Sequence, residues 1–573
     1  MAARFTVEEA RQMVLDRDDG QAVMGLDSGS ELSDDEDPDY QPPAIQPQSS
    51  DTGESPDSSE EEENEVQSTN RMSKKGSYWS ENPPPQTRTP SHNLLITRPG
   101  PARGVTTTSP REAWELFLSE EILLQVIKGT NVEGQRIADA RGKAWLKVDQ
   151  LELKAWIGLC ILSGSEKSWD VAVRELFGSP FQNPMYKATM SINRFEDIRR
   201  ALRFDDKRTR PARLATDHMA AFRDIWEMFL VNCRRRFIPN DCVTVDEQLV
   251  PFRGRCKFLQ YMPSKPAKYG IKIFWVCDAR VPYAIDAKVY TGRQPGDEVQ
   301  KNLGEKIVKE LCSALRHTGR NITMDNFFTS IPLAQELLES GLTIVGTLRQ
   351  NKPDIPAVMK ASRTRKLYST EFGFNGNVAM ASYVRKKGKV VVLLSTMHHN
   401  KMLDENSEKK KPEIITFYNK SKGGVDLVDQ MVGTYTCKRQ TQRWPMVLWY
   451  NMLDVATLNA YSIFKAQHPN DKGGIPERRL FLRELSRELI LPQMQRRLEG
   501  NGSLNSTIID AMQRCGVARV TPQQDRGQPL KRKRCQLCPR DKDNKVSTRC
   551  KKCDTAACKD HSQKTVVCQK CEA

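Results

Sequence analysis

The 573-residue chain lacks any apolar run near the roughly 18 residues that a membrane-spanning helix needs, so it does not read as a membrane protein. Its start, MAARFTVEEARQMVLD, has Glu8, Glu9 and Asp16 where a secretory signal needs a positive end followed by an apolar stretch, and an intracellular protein is the expectation. There is no Walker-type phosphate loop, which argues against nucleotide-driven chemistry, and no internal repeat. The cysteines lack the even scatter of a disulfide framework. Of 15, seven fall in the last 39 residues in CxxC-type spacings and eight stand singly, which suits metal binding in a reducing compartment. The first 110 residues are short of aromatics and rich in Ser, Pro, Asp and Glu, with acidic runs at Asp34–Asp37 and Glu60–Glu63, and should be disordered. Within them, Thr6 and Glu9 form a capping box ahead of Met13, Val14 and Leu15 that suits one short transient helix.

Charge is abundant and unevenly distributed. Lys plus Arg number 88 against 72 for Asp plus Glu, a formal +16, yet residues 1–70 carry 20 acids and 3 basic residues. That local −17 leaves +33 on the remainder. A surplus of this size favours a polyanionic partner, nucleic acid before an anionic membrane surface.

From about 111 to 236 the apolar period is helical, as in Leu153, Trp156, Ile157, Cys160 and Ile161, and in Phe222, Ile225, Trp226, Phe229, Leu230 and Cys233. Residues 242–250, 271–277 and 283–290 then read as three strands, β-branched or aromatic, between Pro and Gly signals. A helix carrying Ile307, Val308, Leu311, Cys312 and Leu315 follows, then a strand at 321–325, a helix opened by Ser330 and closed by Gly341, and a strand at 343–347. This is an α/β order, expected of a ribonuclease-H-like mixed sheet flanked by helices, although order alone fits other α/β folds. A Lys- and Arg-rich segment, 352–414, interrupts it with one strand-like run at 390–395; helical character returns at 421–466, and a basic helical stretch runs to about 518.

Asp246 lies on the first strand and Asp325 ends the fourth, and neighbouring strand ends can bring two carboxylates together. Asp426 and Asp429 share one face if their segment is helical. Clustered carboxylates repel, and hard divalent cations such as Mg²⁺ are the usual way to hold them. Two such ions about 3.5–4 Å apart activate an attacking oxygen and stabilise a leaving one, which is phosphodiester chemistry. Taken singly, each aspartate is more often a turn, cap or salt-bridge residue than a metal ligand.

The tail reads Cys535-x2-Cys538, Cys550-x2-Cys553, Cys558-x2-His561, Cys568-x2-Cys571, enough soft ligands for two tetrahedral Zn²⁺ ions in a segment too small and polar to fold without metal. An interleaved cross-brace would put Cys535, Cys538, Cys558 and His561 on one ion and Cys550, Cys553, Cys568 and Cys571 on the other; a sequential pairing is the alternative. The run Lys531-Arg532-Lys533-Arg534 reads as a nuclear localisation signal or a phosphate-contacting arm. His398 and His399 look exposed, fit no ligand spacing and read as ordinary surface or core residues.

Several motifs together resemble the piggyBac-like DNA transposases: Asp246-Glu247-Gln248 with Phe252-Arg253-Gly254-Arg255, residues 263–272, 321–334 and 343–347, Lys422-Gly423-Gly424-Val425-Asp426 with Asp429-Gln430-Met431, and Arg443-Trp444-Pro445-Met446. The resemblance runs from about 111 to the C-terminus. It implies that Asp246, Asp325 and Asp426 are the catalytic triad, with Asp429 a fourth acid near two Mg²⁺ ions. It implies a ribonuclease-H-like core (241–350 and a final helix at 415–435) interrupted by an insertion domain at 351–414. A dimerisation and DNA-binding domain would be assembled from 111–240 and 436–520, a basic linker would span 521–534, and the zinc domain 535–573 would recognise terminal repeats; RING and PHD modules show related spacings.

The implied reaction, carried out by a nuclear homodimer, is excision through 3′-strand nicking and hairpin formation, then joining to double-stranded TTAA target DNA, with no small-molecule substrate. Arg253, Arg255, Lys265, Lys268 and Lys272 are candidate phosphate contacts or a solvated basic face. Arg443 and Trp444 complete the DNA-binding candidates; Trp444 matches a family tryptophan placed to stack on an unpaired base, or is core beside Trp449 and Leu453.

Overall fold

The computed structural model describes residues 71–85, 95, 97–178, 183–292, 302–405, 408–469, 477–500, 504–517, 532–539, 541–550 and 553–563. The acidic segment 1–70 with its Thr6 capping box, most of the basic linker, and Cys568 and Cys571 lie outside them.

Nine strands form one mixed sheet: β1 (Cys242–Pro251), β2 (Leu259–Tyr261), β3 (Tyr269–Asp278), β4 (Ala284–Val289), β5 (Asn321–Met324), β6 (Thr343–Leu348), β7 (Thr370–Asn375), β8 (Val378–Lys386) and β9 (Lys389–Ser395). The order is β2-β3-β1-β5-β6-β9-β8-β7, with β4 also on β3. Only β1–β5 and β5–β6 pair in parallel, and each of these connections carries a helix, α4 (Leu303–Leu311) or α5 (Ile331–Glu339). The interior strands are buried almost end to end, as strands covered on both faces must be.

The helical part packs one segment of the chain against another far along it. Helix α2 (Gln150–Ser165) is apolar nearly all round, and Gly158 lets α9 (Glu477–Glu499) approach so closely that a β-carbon there would stand 2.9 Å from Ile490 Cγ1. Between the sheet and this pair runs α8 (Trp444–Gln467), buried continuously from Met446 to Ile463. None of the helices among the described residues is long and apolar enough to cross a membrane.

Three expectations change. The lysine-rich insertion does not hold a single strand: β7, β8 and β9 extend the main sheet, because the small and β-branched residues of Val378–Lys386 alternate only weakly and hide their period. The disorder expected as far as residue 110 does not hold for residues 71–85 or 97–110. Residues 71–85 lie along edge strand β7, with Ser80 bridging Phe374 through hydrogen bonds of 2.8 Å in both directions and Trp79 1% exposed against Gly373. An edge strand leaves backbone groups unpaired, and one tryptophan supplies enough apolar area to hold a short segment over it. His398 is buried rather than exposed, its Nδ1 2.9 Å from Ser395 Oγ.

Candidate active site and metal centres

Registry along the sheet places the acids. Val245 of β1 is opposite Met324 of β5, the last residue of that strand, so Asp246 and Asp325 are the next residue on each of two adjacent parallel strands. Beyond this pair β5 turns away and β1 continues alone on that side, so the acids stand at the carboxyl ends of the central strands, the usual place of a substrate crevice in an open α/β sheet. Asp325 is fixed by its own turn: its Oδ1 accepts from the Phe327 N–H at 2.8 Å and its carbonyl from Thr329 Oγ1 at 2.7 Å.

The third acid arrives on a helix stitched to the same strand. Side chains of β1 alternate, so Thr244, Asp246 and Gln248 share a face. Thr244 Oγ1 donates to the carbonyl of Ser421 at 2.6 Å, at the end of α6 (Glu413–Ser421), and Gln248 Nε2 donates to Asp429 Oδ1 at 2.7 Å on α7 (Gly424–Thr434). Asp426, exposed in the first turn of α7 between these two ties, lies close enough for its charge to raise the Asp246 carboxyl.

Burial, together with the charges of Glu247, Asp325 and Asp426, pushes the Asp246 carboxyl up to about 8. Burial raises Asp325 as well, against the Phe327 N–H and the charges of Lys272 and Arg349, and it raises Asp429 against the Gln248 amide and Lys265. Asp246, Asp325 and Asp429 are half-buried and Asp426 is exposed; carboxylates within reach of one another's charge are the donor set that hard divalent cations stabilise, so these residues fit Mg²⁺.

Glu247, a site residue that the sequence does not single out, stands beside them, 3.9 Å from both Lys265 and Lys272. Lys272 sits over the rings of Phe274 and Phe327, and burial lowers it against the pull of Glu247, Asp325 and Asp246. These two lysines thus offset the charge of the acids. Arg253, Arg255 and Lys268 are exposed, Arg253 lying over the Tyr269 ring. Arg443 donates to the carbonyls of Leu202 and Arg199, and Trp444, partly buried, meets Phe258 edge-on at 5.0 Å. Gly254 lets that loop in: a β-carbon there would stand 2.7 Å from the Gln442 carbonyl.

In the tail, the ligand atoms of Cys535, Cys538, Cys558 and His561 all lie within 4.8 Å of one another, with Cys558 Sγ 3.2 Å and Cys538 Sγ 3.6 Å from His561 Nδ1. First and third pairs meet, as in the cross-brace. Among the described residues no other such group closes to that spacing, and the aspartates stand wider apart. Cys550 and Cys553 are exposed.

A mixed sheet flanked by helices, with carboxylates at the ends of its central parallel strands and a Cys/His module following it, defines a ribonuclease-H-like transposase core. A family model described as Transposase IS4 matches residues 109–461, more than half of the chain, and the chain belongs to the piggyBac-like transposases. A solved piggyBac transposase, in a synaptic complex with hairpin DNA, superposes with a TM-score of 0.72 at 35% identity, covering 83% of this chain and 100% of that one. Human PiggyBac transposable element-derived protein 3 is 25% identical over 376 residues, 62% of this chain and 61% of the relative. Human PiggyBac transposable element-derived protein 2 is 22% identical over 386 residues, 62% of each. The chain therefore spans about three fifths of the length of these human relatives.

Proposed function

We propose that this chain is a cut-and-paste DNA transposase that nicks the 3′ strand at each transposon end, releases the element through a hairpin, and joins it to TTAA targets, working as a nuclear homodimer. The observation that carries the reading is the in-register placement of Asp246 and Asp325 with the helix that carries Asp426 tied to the same strand. These three acids would hold Mg²⁺, with Asp429 beside them. Bound there, the cations supply Lewis-acid activation of the attacking oxygen and charge relief for the leaving one.

The protein's own groups do the rest. The Asp325 turn and the ties on either side of Asp426 keep the carboxylates preorganised, so little reorganisation accompanies reaction. Lys265 and Lys272 keep the site from becoming so negative that a phosphate is repelled. Exposed Arg253, Arg255 and Lys268 offer phosphate contacts, and the partly exposed Trp444 ring offers a surface for an unpaired base. Arg443, bound to two carbonyls, anchors that tryptophan. Cys535, Cys538, Cys558 and His561 would hold a structural Zn²⁺ in a module that reads terminal repeats, and the hairpin DNA in the matched solved structure supports the excision route. The Lys531–Arg534 run supports the nuclear placement.

The human relatives are named as transposable element-derived proteins, which favours a second reading, a descendant that binds DNA without cutting it. One assay separates the two. Purified chain, Mg²⁺ and a duplex carrying the ends of its source element should give nicks, hairpins and TTAA joints, and Asp325→Asn should give none. Binding without cleavage selects the descendant; undiminished cleavage by Asp325→Asn removes that residue from the site.

A further inference from the structure

Behind Asp429 lies a closed set of hydrogen bonds that a bare acid cluster does not need. Gln248 Nε2 donates to Asp429 Oδ1 at 2.7 Å and also reaches Asn451 Oδ1 at 3.3 Å. Gln248 Oε1 accepts from the Trp275 indole N–H at 3.0 Å and from Asn451 Nδ2 at 3.1 Å. An indole nitrogen only donates, so Trp275 dictates which way the Gln248 amide faces: oxygen toward the indole, NH₂ toward the carboxylate. The reciprocal pair with Asn451 fixes the second amide in turn. Trp275, Gln248 and Asn451 are 1%, 3% and 6% exposed, so no bulk water competes for these bonds.

The four groups come from four elements, β1, β3, α7 and α8. Asn451 lies seven residues, two helical turns, beyond Trp444, so the two share a face of α8. With Oδ1 engaged, the Asp429 carboxylate keeps one orientation and offers its other oxygen. Buried amides this completely paired are costly to assemble and specify a single arrangement.

We propose that Gln248 and Asn451 are positioning residues for the divalent cation, orienting Asp429 and tying that orientation to the seating of α8, the helix that presents Trp444. The proposal rests on the reading of the acids as a cation site. It extends the machinery from the acids into the helical part: a shift of α8, as when DNA engages its N-terminal end, is transmitted to Asp429 through one pair of amides.

The test is Mn²⁺ binding to the full, DNA-free chain, followed by electron paramagnetic resonance, with thermal midpoints measured without metal. Asp246→Asn reports on the site itself. Gln248→Met, close in volume and without an amide, should weaken Mn²⁺ binding about 10–100-fold, the usual effect of removing an outer-shell partner. Asn451→Leu should weaken it in the same direction. Should Gln248→Met not fold, Trp275→Phe is read instead: it keeps an aromatic ring, removes the orienting donor and should weaken binding several-fold. Wild-type Mn²⁺ affinity in the folded Gln248 and Asn451 variants, beside a weakened Asp246→Asn, overturns the positioning role and leaves the site intact. Wild-type affinity in Asp246→Asn overturns the cation site. A purely structural role would lower the thermal midpoint and leave the affinity of the folded fraction unchanged, and that result also overturns the proposal.

Discussion

Two adjacent glycines precede Asp426, and the structure gives them unequal work. A β-carbon on Gly424 would stand 2.8 Å from the Asp278 carbonyl oxygen and 2.8 Å from Thr244 Oγ1, while one on Gly423 would meet nothing within 4 Å. Neither neighbour of Gly424 can yield. The Asp278 carboxylate accepts from the N–H groups of Asn240, Arg280 and Val281 at 2.6, 2.8 and 2.9 Å, which pins that end of β3, and Thr244 Oγ1 is committed to Ser421. Helix α7 must therefore back away by about half an ångström or more to reach ordinary contact, carrying Asp426 two residues on. Overpacking of this kind costs about 1–3 kcal/mol, and a misplacement approaching 1 Å at a reacting centre costs up to about 100-fold in rate. We expect Gly424→Ala to cut DNA strands about 10–100-fold more slowly in single-turnover cleavage and to melt earlier. Gly423→Ala should stay within about twofold in rate and within about 1 kcal/mol in stability, since its backbone is not left-handed and the lower unfolded-state entropy of alanine offsets its weakness as an N-cap. Equal rates for the two variants, or a fully active Gly424→Ala, would refute the argument that backbone contact at Gly424 sets the position of Asp426.

Cys558→Ser should release one zinc per chain by elemental analysis and abolish recognition of terminal repeats while leaving the thermal midpoint of the core in place; unchanged zinc content would reject the ligand set. Trp79→Ala should loosen residues 71–85 from β7, at a cost of about 3–5 kcal/mol as for buried aromatic truncations, seen as new proteolytic cleavage in that segment, and resistance equal to the parent would show that the tryptophan does not hold it. Burial raises the Asp454 carboxyl to about 6, against hydrogen bonds from Thr436 and Cys437 and the charge of Arg478. The folded chain then binds a proton that the unfolded chain releases near 4, so this residue's contribution to stability is lost as pH rises from about 4 to about 6. Asp454→Asn should flatten the thermal midpoint across that window, and parallel pH profiles would contradict it.

The sequence by itself determined the strand and helix order of the core, because the strands of Cys242–Pro251 and Tyr269–Asp278 are buried along most of both faces and so appear as β-branched and aromatic runs, interrupted chiefly at Asp246-Glu247-Gln248. It determined the metal-ligand types and spacings of the tail, since CxxC-type pairs are local. Through its motifs it pointed to Asp246, Asp325 and Asp426. It left open whether those acids meet, because that depends on registry between β1 and β5, 79 residues apart, and on Gly424 admitting α7 against Thr244. Tertiary structure alone decided that the lysine-rich insertion extends the same sheet, a long-range pairing of β9 with β6 that a weakly alternating sequence does not announce. It also decided which basic residues face outward and which, like Lys272 and Arg443, are spent inside the fold, because an arginine or lysine carries the same letter whether it meets a phosphate or a buried carbonyl.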